Sequence, residues 1–593
     1  MTNQSKENLD HIEFVENEHG DLSYAVDPRE GPVTVLDTMG QDPDTPQAIP
    51  LKAYIVIILM SIGLFNNVFF GVAPPASVGL IAKALNASDK AMWIIQAQGI
   101  PSIASGPIIS VIADVYGRKS AIIGLALLSA IACIICMTTH NVDVLIFGQT
   151  LNGISGGISG LLFAIPSEVV PSRYRSMVQG FLSFFSIGGA YVALLGMGAA
   201  TSNDPENGWR WIWRTQLVCN GVMIIGFALF YFPPPRTISN LSIWGRIKSL
   251  DWMGYFLLTG GLVPLLMGFA WAASLGWSDP HAYGCVVAGV LGFIMCLLWE
   301  WKGTATGFLH HALFRNRNFP LLMFTIAVEG HMFYAINTMY SGAAYGFWFS
   351  DVSAMKQSAA LLPFFGGVMV ITPLVAFYTT KFKQLKWPVF AGLVSFLIAC
   401  IGLATCTTDS WVRALVFDAI AGFGFAAILM LLVTLVQLST PPLYIGVASA
   451  LAISTRTLGG TVGYGINTVI YNNVYDSRRS SKIAQAVIPL GFDSNNLGSL
   501  ISGIVSGNTT AVPGITPDIL AAANTANLQA SAYGYSVTWY AAIPAVVLAL
   551  VGIVFIKDPT DRMDWVVDAP LEKVHHEHAG KEAEEGGVKV AET

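Results

Sequence analysis

Four ionisable side chains stand inside long apolar runs of the sequence. Glu329 and His331 share one run, Asp418 stands in a second, and Arg456 stands in a third. A charge at the centre of a membrane helix costs about 2.5–3.5 kcal/mol, so such residues usually face a cavity or a partner inside the protein. A carboxylate in a dry cavity can exchange a proton near neutral pH. We therefore predict Glu329 and Asp418 as proton carriers, and the alternative for each is a structural ion pair between helices.

Residues in the same apolar runs are candidates for contact with a substrate. Arg456 could hold a carboxylate or an anionic substrate, unless it forms a structural ion pair. His331 lies two residues from Glu329, on a different face of a helix, where a hydrogen-bonded packing role is the alternative. Tyr334 is one of several aromatic side chains in this run that could line a path for an apolar or ring-containing substrate. We predict Arg456, His331 and Tyr334 as substrate or ion-pair residues.

Two short charged stretches between apolar runs could form a gate. The first, 113–119, contains an acid, a glycine and two bases, and its alternative interpretation is a capped turn. The second, 166–175, alternates acids and bases beside two prolines, and its alternative is an ordinary charged loop. The predicted gating residues are Asp114, Gly117, Arg118, Lys119, Glu168, Arg173 and Arg175.

Helices that cross a membrane must position these residues. The chain is 53% hydrophobic and 11% charged, with a mean hydropathy of +0.58, whereas soluble proteins are about 25% charged. Runs of about 20 apolar residues mark membrane-crossing helices. Fourteen such runs lie at 52–73, 94–113, 120–138, 144–165, 177–199, 212–232, 253–274, 282–300, 320–348, 358–379, 388–406, 411–438, 444–471 and 536–556. We predict an all-α polytopic membrane protein with about 14 transmembrane helices, of which the ninth and thirteenth are long enough to tilt or break.

The distribution of Lys and Arg predicts the orientation of these helices. Short loops on one side carry most of the basic residues, including 118–119, 173–175 and 381–386, which is typical of the cytoplasmic side. Both termini are then cytoplasmic. Asn86 and Asn508 fall on the outer side within N-x-S/T triplets, so they are candidate glycosylation sites.

The loops divide the chain into a six-two-six arrangement of helices. We predict an acidic, disordered cytoplasmic tail at 1–50, a six-helix half at 51–235, a linker with two extra spans at 236–318, a second six-helix half at 319–557 and a second acidic, disordered tail at 558–593. The second half contains a long polar outer loop at 472–535. Within that loop, an Ala-rich stretch at 517–530 could form a helix that lies on the membrane surface.

The sequence also excludes several classes of function. It has no G-x-x-x-x-G-K-[ST] loop for ATP and no basic patch for nucleic acid. It shows no metal-ligand spacing and no nucleophile constellation, so we expect neither an enzyme nor a bound cofactor or metal. The seven cysteines lie within or at the end of apolar runs, which predicts no disulfide framework. We expect a monomer whose partners are a small-molecule substrate, protons and the lipid bilayer.

The stretch 113–119 resembles the loop between the second and third helices of the major facilitator superfamily, G-x-x-x-D-R-x-G-R-K/R. Matches to that pattern are Asp114, Gly117, Arg118 and Lys119, and departures from it are Ser110 and Val115. The fourth predicted span keeps the family's glycines but has Gln149 in place of an arginine that the family links to proton coupling. The fifth has small residues at 186–190 without the proline typical of drug antiporters.

The finer resemblance is to the fourteen-span branch of drug:proton antiporters, and within it to fungal trichothecene efflux pumps and siderophore transporters. It rests on 167–171 with Arg175, on Gly-Trp-Arg-Trp at 208–211, on Leu-Gly-Trp at 275–277 and on His-Ala-Leu-Phe-Arg at 311–315. The likeness covers about residues 50–565.

The resemblance implies a major facilitator fold and a secondary active transporter of the plasma membrane. It predicts proton-coupled efflux of a small organic metabolite, toxin or drug. Uptake of ferric siderophores by proton symport is the alternative within the family, and a membrane sensor that moves nothing is the alternative from another class. In the predicted mechanism two six-helix halves rock about a central site, and protonation of Glu329 or Asp418 biases which side is open.

Overall fold

Long helices make up nearly all of the computed structural model. The structure describes residues 14–16, 22–24, 49–87, 90–204, 206–233, 250–304, 309, 311–350, 352–441, 444–506 and 512–567. Twelve helices within these ranges are long and apolar enough to cross a membrane, as judged by length and composition. The prediction of an all-helical polytopic membrane protein is therefore confirmed. The two predicted acidic tails lie mostly outside the described residues, and Asn508 lies outside them too.

The first part of the chain contributes a short β-ribbon and eight helices. β1 (Phe14–Glu16) pairs antiparallel with β2 (Leu22–Tyr24) inside the acidic N-terminal segment. The helices are α1 (Leu51–Ala84), α2 (Ala91–Tyr116), α3 (Arg118–Thr138), α4 (Val142–Gly156), α5 (Ser159–Glu168), α6 (Arg175–Tyr191), α7 (Met197–Asn203) and α8 (Trp211–Phe230). A π-turn at Val192–Gly196 joins α6 to α7. We call α1–α8 the first half.

A helical hairpin and a second bundle follow. The hairpin, α9 (Trp252–Leu275) and α10 (Pro280–Leu298), contacts α2 where Trp271 meets Trp93. The second bundle contains α11 (His311–Arg315), α12 (Asn318–Ala335), α13 (Ser341–Ala343), α14 (Ala354–Ala359), α15 (Leu362–Phe382), α16 (Lys386–Ala404), α17 (Trp411–Ser439), α18 (Ile445–Val487), α19 (Leu497–Ser506) and α20 (Pro517–Val554). We call α11–α20 the second half. The exact boundaries of the six-two-six division stay a prediction.

Two predicted spans account for the difference between twelve and fourteen. The fourth span breaks at Gly157 and Ile158 into α4 and α5, each of which is short. The thirteenth is α18, a single helix of 43 residues, in which Arg456 and many polar side chains lower the hydropathy. Both segments are helical and packed within the described part of the chain, but they do not meet the criteria for a membrane span. The count of fourteen stays a prediction.

The ninth predicted span is interrupted, as its length suggested. After α12, the chain forms a π-turn at Ile336–Tyr340, the short helix α13 and a second π-turn at Ala344–Trp348. A π-turn adds one residue to a helical turn and frequently occurs at functional sites. The candidate residues of this span all lie in the regular helix before the first π-turn.

The segment predicted as a polar outer loop is largely helical. With a rise of 1.5 Å per residue, α18 is about 65 Å long, roughly twice the thickness of a membrane core. The Ala-rich stretch 517–530 is helical, as expected, and forms the first part of α20; its place on the membrane surface stays a prediction. A separate apolar core explains why this segment folds, because its members bury their side chains against one another. That core contains Ile483, Val487, Phe492, Leu500, Ile519 and Ala523.

Candidate functional site

Glu329 and Arg456 form a buried ion pair in the second half. The Nε atom of Arg456 lies 3.0 Å from Oε1 and 2.8 Å from Oε2 of Glu329. Glu329 is 1% exposed and Arg456 is 17% exposed. The guanidinium group also lies over the rings of Phe333 and Phe425, 4.5 and 5.3 Å from their centroids. One carboxylate and two aromatic faces therefore stabilise the arginine inside an apolar bundle.

Close contact between α12 and α18 brings this pair together. A side chain at Gly330 would collide with the backbone carbonyl of Arg456, and one at Gly459 would collide with the carbonyl of Ala327. Glycine at both positions lets the two backbones approach, as small residues do between membrane helices. The carboxylate of Glu329, one residue before Gly330, is then within reach of the arginine side chain.

A small apolar pocket adjoins the ion pair. It is lined by Ile326, Leu429, Leu432, Val433, Ala452 and Ile453, together with Glu329 and Arg456. Its volume of about 10 Å³ is room for about one water molecule. Glu329 is thus enclosed, whereas the Arg456 side chain is partly exposed, and an organic substrate can enter the pocket only after helices move.

Asp418 contacts the start of a neighbouring helix. It is fully buried, and its Oδ2 accepts a hydrogen bond from the backbone N–H of Phe364 at 2.9 Å. Phe364 lies in the first turn of α15, where backbone N–H groups have no partner within the helix. A carboxylate at this position satisfies one of these donors and interacts favourably with the helix dipole. This contact favours a structural role for Asp418, and its role as a proton carrier stays a prediction.

Replacing Asp418 separates these two roles. Asp418→Ala removes the acceptor at the start of α15, so we expect the free energy of unfolding to fall by about 1–2 kcal/mol. Asp418→Asn keeps an acceptor oxygen, and we expect smaller loss of stability and gradient-driven transport close to that of the unmodified protein. Thermal unfolding in detergent and transport in proteoliposomes measure the two effects. An Asn variant of normal stability that has lost gradient-driven transport would support the carrier role instead.

His331 and Tyr334 lie at the same contact between α12 and α18. Nε2 of His331 lies 3.2 Å from Oδ1 of Asn467. The His331 ring packs against Gly463, and the Tyr334 ring packs against Gly460. Both side chains therefore pack on the helix that carries Arg456, and a contact of either with substrate stays a prediction.

Asp114, Arg118 and Glu168 form a second buried ionic cluster, where α2 meets α3. Gly117 makes the turn with a φ of 100°, which residues with a side chain rarely adopt. Nε of Arg118 lies 3.1 Å from Oδ1 of Asp114, and its Nη2 lies 2.8 Å from Oε1 of Glu168. The Nη1 atom contacts the other carboxylate oxygen of Glu168. Arg118 is 6% and Glu168 is 3% exposed. We call this end of the molecule the Arg118 end.

The two halves touch at the Arg118 end. The ionic cluster lies beside Gly446, in the first turn of α18. Nε2 of Gln437 donates to the carbonyl of Phe163 at 3.2 Å, and Oγ of Ser454 donates to the carbonyl of Ile103 at 3.3 Å. Each of these bonds joins a residue of the second half to one of the first. The structure is therefore closed between the halves at this end.

The remaining predicted gating residues have separate contacts. The amino group of Lys119 lies 3.5 Å from the centroid of the Phe232 ring, so Lys119 stays within the first half. Nε of Arg175 donates to the carbonyl of Ser167 at 3.1 Å. Arg173 contacts the segment that follows α20. The structure thus brings three of the seven predicted residues into one cluster and distributes the other side chains around it.

A polar cavity inside the first half was not found from the sequence. Amide and hydroxyl side chains line it, including Asn66, Ser129, Asn152, Gln216 and Asn220. Nδ2 of Asn152 donates to Gln216 at 2.8 Å, and Nδ2 of Asn220 donates to Ser129 at 2.7 Å. The volume of about 40 Å³ is room for a few water molecules. Uncharged polar residues recurring in otherwise apolar runs were the signal that could have found this cavity.

Gln149, which replaces the family's arginine, is held by the first half. Its Nε2 donates to the carbonyl of Ile94 at 3.2 Å, and its Oε1 accepts from Nε1 of Trp213 at 3.3 Å. The side chain is fully buried. Gln149 therefore links three helices by hydrogen bonds and introduces no charge.

Asn86 follows α1 on the side opposite to the Arg118 end. It adopts a φ of 51° in the turn between α1 and α2, a conformation that Asn tolerates better than most residues. A turn at the end of a helix is a suitable place for a modified side chain, and glycosylation at Asn86 stays a prediction.

Comparisons with known proteins bear on the whole chain. The family model of the Major Facilitator Superfamily matches residues 55–464. The MFS-type transporter prx5 of Penicillium rubens is 24% identical over 455 residues, which cover 74% of this chain and 81% of that protein. The trichothecene efflux pump TRI12 of Fusarium sporotrichioides is 21% identical and covers 75% and 76% of the two chains. The efflux pump FUS6 of Gibberella fujikuroi is 23% identical and covers 92% and 97%.

A solved structure shows the same fold at low sequence identity. The proton:xylose symporter XylE, bound to 6-bromo-6-deoxy-D-glucose, matches 88% of this chain and 98% of its own with a TM-score of 0.52. The sequences are 14% identical, so the similarity concerns the fold alone.

Proposed function

The chain belongs to the major facilitator superfamily, and on that premise we propose that it is a secondary active transporter that exports a small organic metabolite, toxin or drug in exchange for protons. The observation that carries the proposal is the enclosed Glu329–Arg456 pair, a carboxylate that can take up a proton next to a cation that its neutralisation would release. The family and the fold indicate a transporter rather than an enzyme.

Three observations give the exchange a physical basis. With Glu329 ionised, its carboxylate holds Arg456 over the rings of Phe333 and Phe425. Once helices move, the cation, the rings and the apolar lining of the adjoining pocket form a surface for an apolar or ring-containing cargo. Protonation of Glu329 weakens the attraction, so the guanidinium group leaves this position and the surface is lost. A proton and cargo therefore compete for this site, which is what exchange requires.

Efflux is favoured over siderophore uptake by the relatives. Two of those named above are efflux pumps, and one of them covers nearly the whole length of both chains. We propose that the Arg118 end faces the cytoplasm, because its loops carry the basic residues. Both termini are then cytoplasmic, and we place the protein in the plasma membrane as a monomer.

Counterflow in proteoliposomes tests the proposal. Purified protein would be offered labelled trichothecene-type terpenoids and ferric siderophores, with and without an imposed pH gradient. One pH unit supplies about 1.36 kcal/mol per proton, so one-for-one exchange can concentrate cargo by up to roughly tenfold. We expect gradient-driven movement of the terpenoids.

Two controls make the outcome specific. A protonophore that collapses the gradient should abolish concentration but not exchange, and protein-free liposomes should show neither. Movement of ferric siderophores alone would replace efflux by uptake as the function. Binding of either class without any movement would favour a sensor.

A further inference from the structure

The segment that follows α20 is anchored to the second half at three places. The side chain of Asn318 bonds with Lys557 in both directions, at 2.8 and 3.1 Å. Asp558 accepts the backbone N–H groups of Leu385 and Lys386, at 2.9 and 3.1 Å. The segment is thus tied to the starts of α12 and α16 before it continues.

The third anchor lies beneath α17. Nη1 of Arg562 donates to the carbonyl of Leu438 at 3.2 Å. The next residue, Met563, is fully buried in an apolar core whose members come mostly from the second half. Burial of this side chain fixes the position of the chain up to this point.

Beyond Met563 the segment pairs with the first half. The backbone N–H of Arg173 donates to the carbonyl of Asp564 at 2.9 Å, and that of Ser172 donates to Val566 at 3.1 Å. The Trp565 ring, between these two bonds, faces Arg173 at 4.9 Å from the guanidinium carbon, and it packs edge-on against Tyr174 at 5.4 Å. The partner loop is part of 166–175, which also supplies Glu168 to the ionic cluster.

We propose that residues 560–567 are a latch that holds the cytoplasmic side closed, and that Trp565 must leave the loop Ser172–Tyr174 before this side opens. The inference rests on the proposed function in one respect, since it assumes that the halves separate at the Arg118 end. The three anchors stay in the second half during that motion. The two backbone bonds and the Trp565 contacts join different halves, so they break.

The latch regulates the fraction of molecules that are open at this end rather than the choice of cargo. None of its residues lines the pocket beside Glu329, and the backbone bonds would form with any side chains. The Trp565 side chain is therefore what selects the loop Ser172–Tyr174 as the partner of residues 560–567. Cation–π and aromatic contacts of this kind together amount to roughly a factor of ten in an equilibrium constant.

The distance between the halves tests the latch directly. Spin labels at Ser120→Cys and Lys381→Cys, exposed positions on the two sides of the Arg118 end, would be placed in a protein with Cys219→Ser and Cys285→Ser. Electron–electron distance measurements without cargo then give the fractions of closed and open molecules. We expect Trp565→Ala to increase the ratio of open to closed molecules by about tenfold, and Trp565→Phe to restore most of the closed fraction.

Matched variants exclude a general effect of losing an aromatic side chain. Trp387 is 57% exposed on the same rim of the second half, and Trp387→Ala should leave the distances unchanged. Arg173→Ala should open the protein less than Trp565→Ala does, because it leaves the contact of Trp565 with Tyr174, and the double variant should open it no more than Trp565→Ala alone. The latch is refuted if Trp565→Ala gives the distances of the unmodified protein, or if Trp387→Ala opens it equally. The distances are measured without cargo, so this test of the latch remains valid even if the transport proposal fails.

Discussion

Replacing Glu329 by Gln is expected to lower transport driven by a pH gradient by about a hundredfold. Gln has nearly the shape of Glu but neither gains nor loses a proton, so it cannot carry one. A hundredfold loss of rate corresponds to about 2.7 kcal/mol; the separate cost of about 3–5 kcal/mol for removing one partner of a buried ion pair falls on the stability of the fold. The measurement is the initial rate of gradient-driven movement, in proteoliposomes, of the cargo that counterflow identifies.

Cargo exchange measured at equal pH on both sides distinguishes a loss of proton coupling from a loss of cargo movement in this variant. Labelled and unlabelled cargo can exchange without net movement of protons, and the amide oxygen of the Gln side chain can still accept from Arg456. We therefore expect exchange to be slower but to survive Glu329→Gln in the folded protein. Arg456 keeps its two aromatic neighbours but loses its carboxylate, and we expect a lower melting temperature as a result.

A double variant distinguishes the loss of a proton carrier from the loss of stability. Glu329→Gln combined with Arg456→Gln leaves no unpaired charge, so we expect the melting temperature to recover. Gradient-driven transport should stay absent, since the proton carrier is still missing. Normal gradient-driven transport in either variant would remove Glu329 from the coupling mechanism.

The partners in this site show what a sequence can and cannot predict. Glu329 and Arg456 stand out because charges are costly inside apolar runs, and both are found from composition alone. Their pairing across 127 positions depends on how closely α12 approaches α18. That approach is set by glycines whose neighbours belong to another helix, so no local pattern reveals it.

Asp418 illustrates a different limit. Its partner is a backbone N–H of Phe364, and a backbone group leaves no trace in the sequence. The same holds for Gln149, whose amide bonds to the carbonyl of Ile94. Residue type predicts that such side chains need partners, but only the packed bundle decides which ones they find.

The helix α18 shows why hydropathy fails for some elements. It is enclosed by its neighbours in its first part and belongs to a separate small core in its last part. Neither part faces lipid along its whole circumference, so neither needs the apolar composition of a simple membrane span. The count of spans and the loop 472–535 were both predicted from hydropathy, so they depend on the composition of each helix. The all-helical fold does not depend on it.

Glu168→Gln is expected to open the Arg118 end by about a hundredfold in the ratio of open to closed molecules. Arg118 would keep Asp114 but lose the negative charge and one of the two acceptor oxygens of Glu168, in a cluster that is almost completely buried. The cost of about 3–5 kcal/mol for breaking such a pair falls mainly on the closed arrangement, because water can reach these groups only when the halves separate. Spin labels at Ser120→Cys and Lys381→Cys would report the change.

Lys119→Gln is the matched control for this prediction. It also changes one charge at the Arg118 end, but Lys119 contacts the carbonyl of Ala228 and the Phe232 ring within the first half. We expect it to leave the distance between the labels unchanged. Because Trp565 packs on Arg173 and Tyr174 whereas Glu168 pairs with Arg118, Glu168→Gln and Trp565→Ala should add in free energy. If Glu168→Gln opens the protein no more than Lys119→Gln does, the cluster stabilises the first half alone. The backbone pairs and Trp565 are then what keeps the Arg118 end closed.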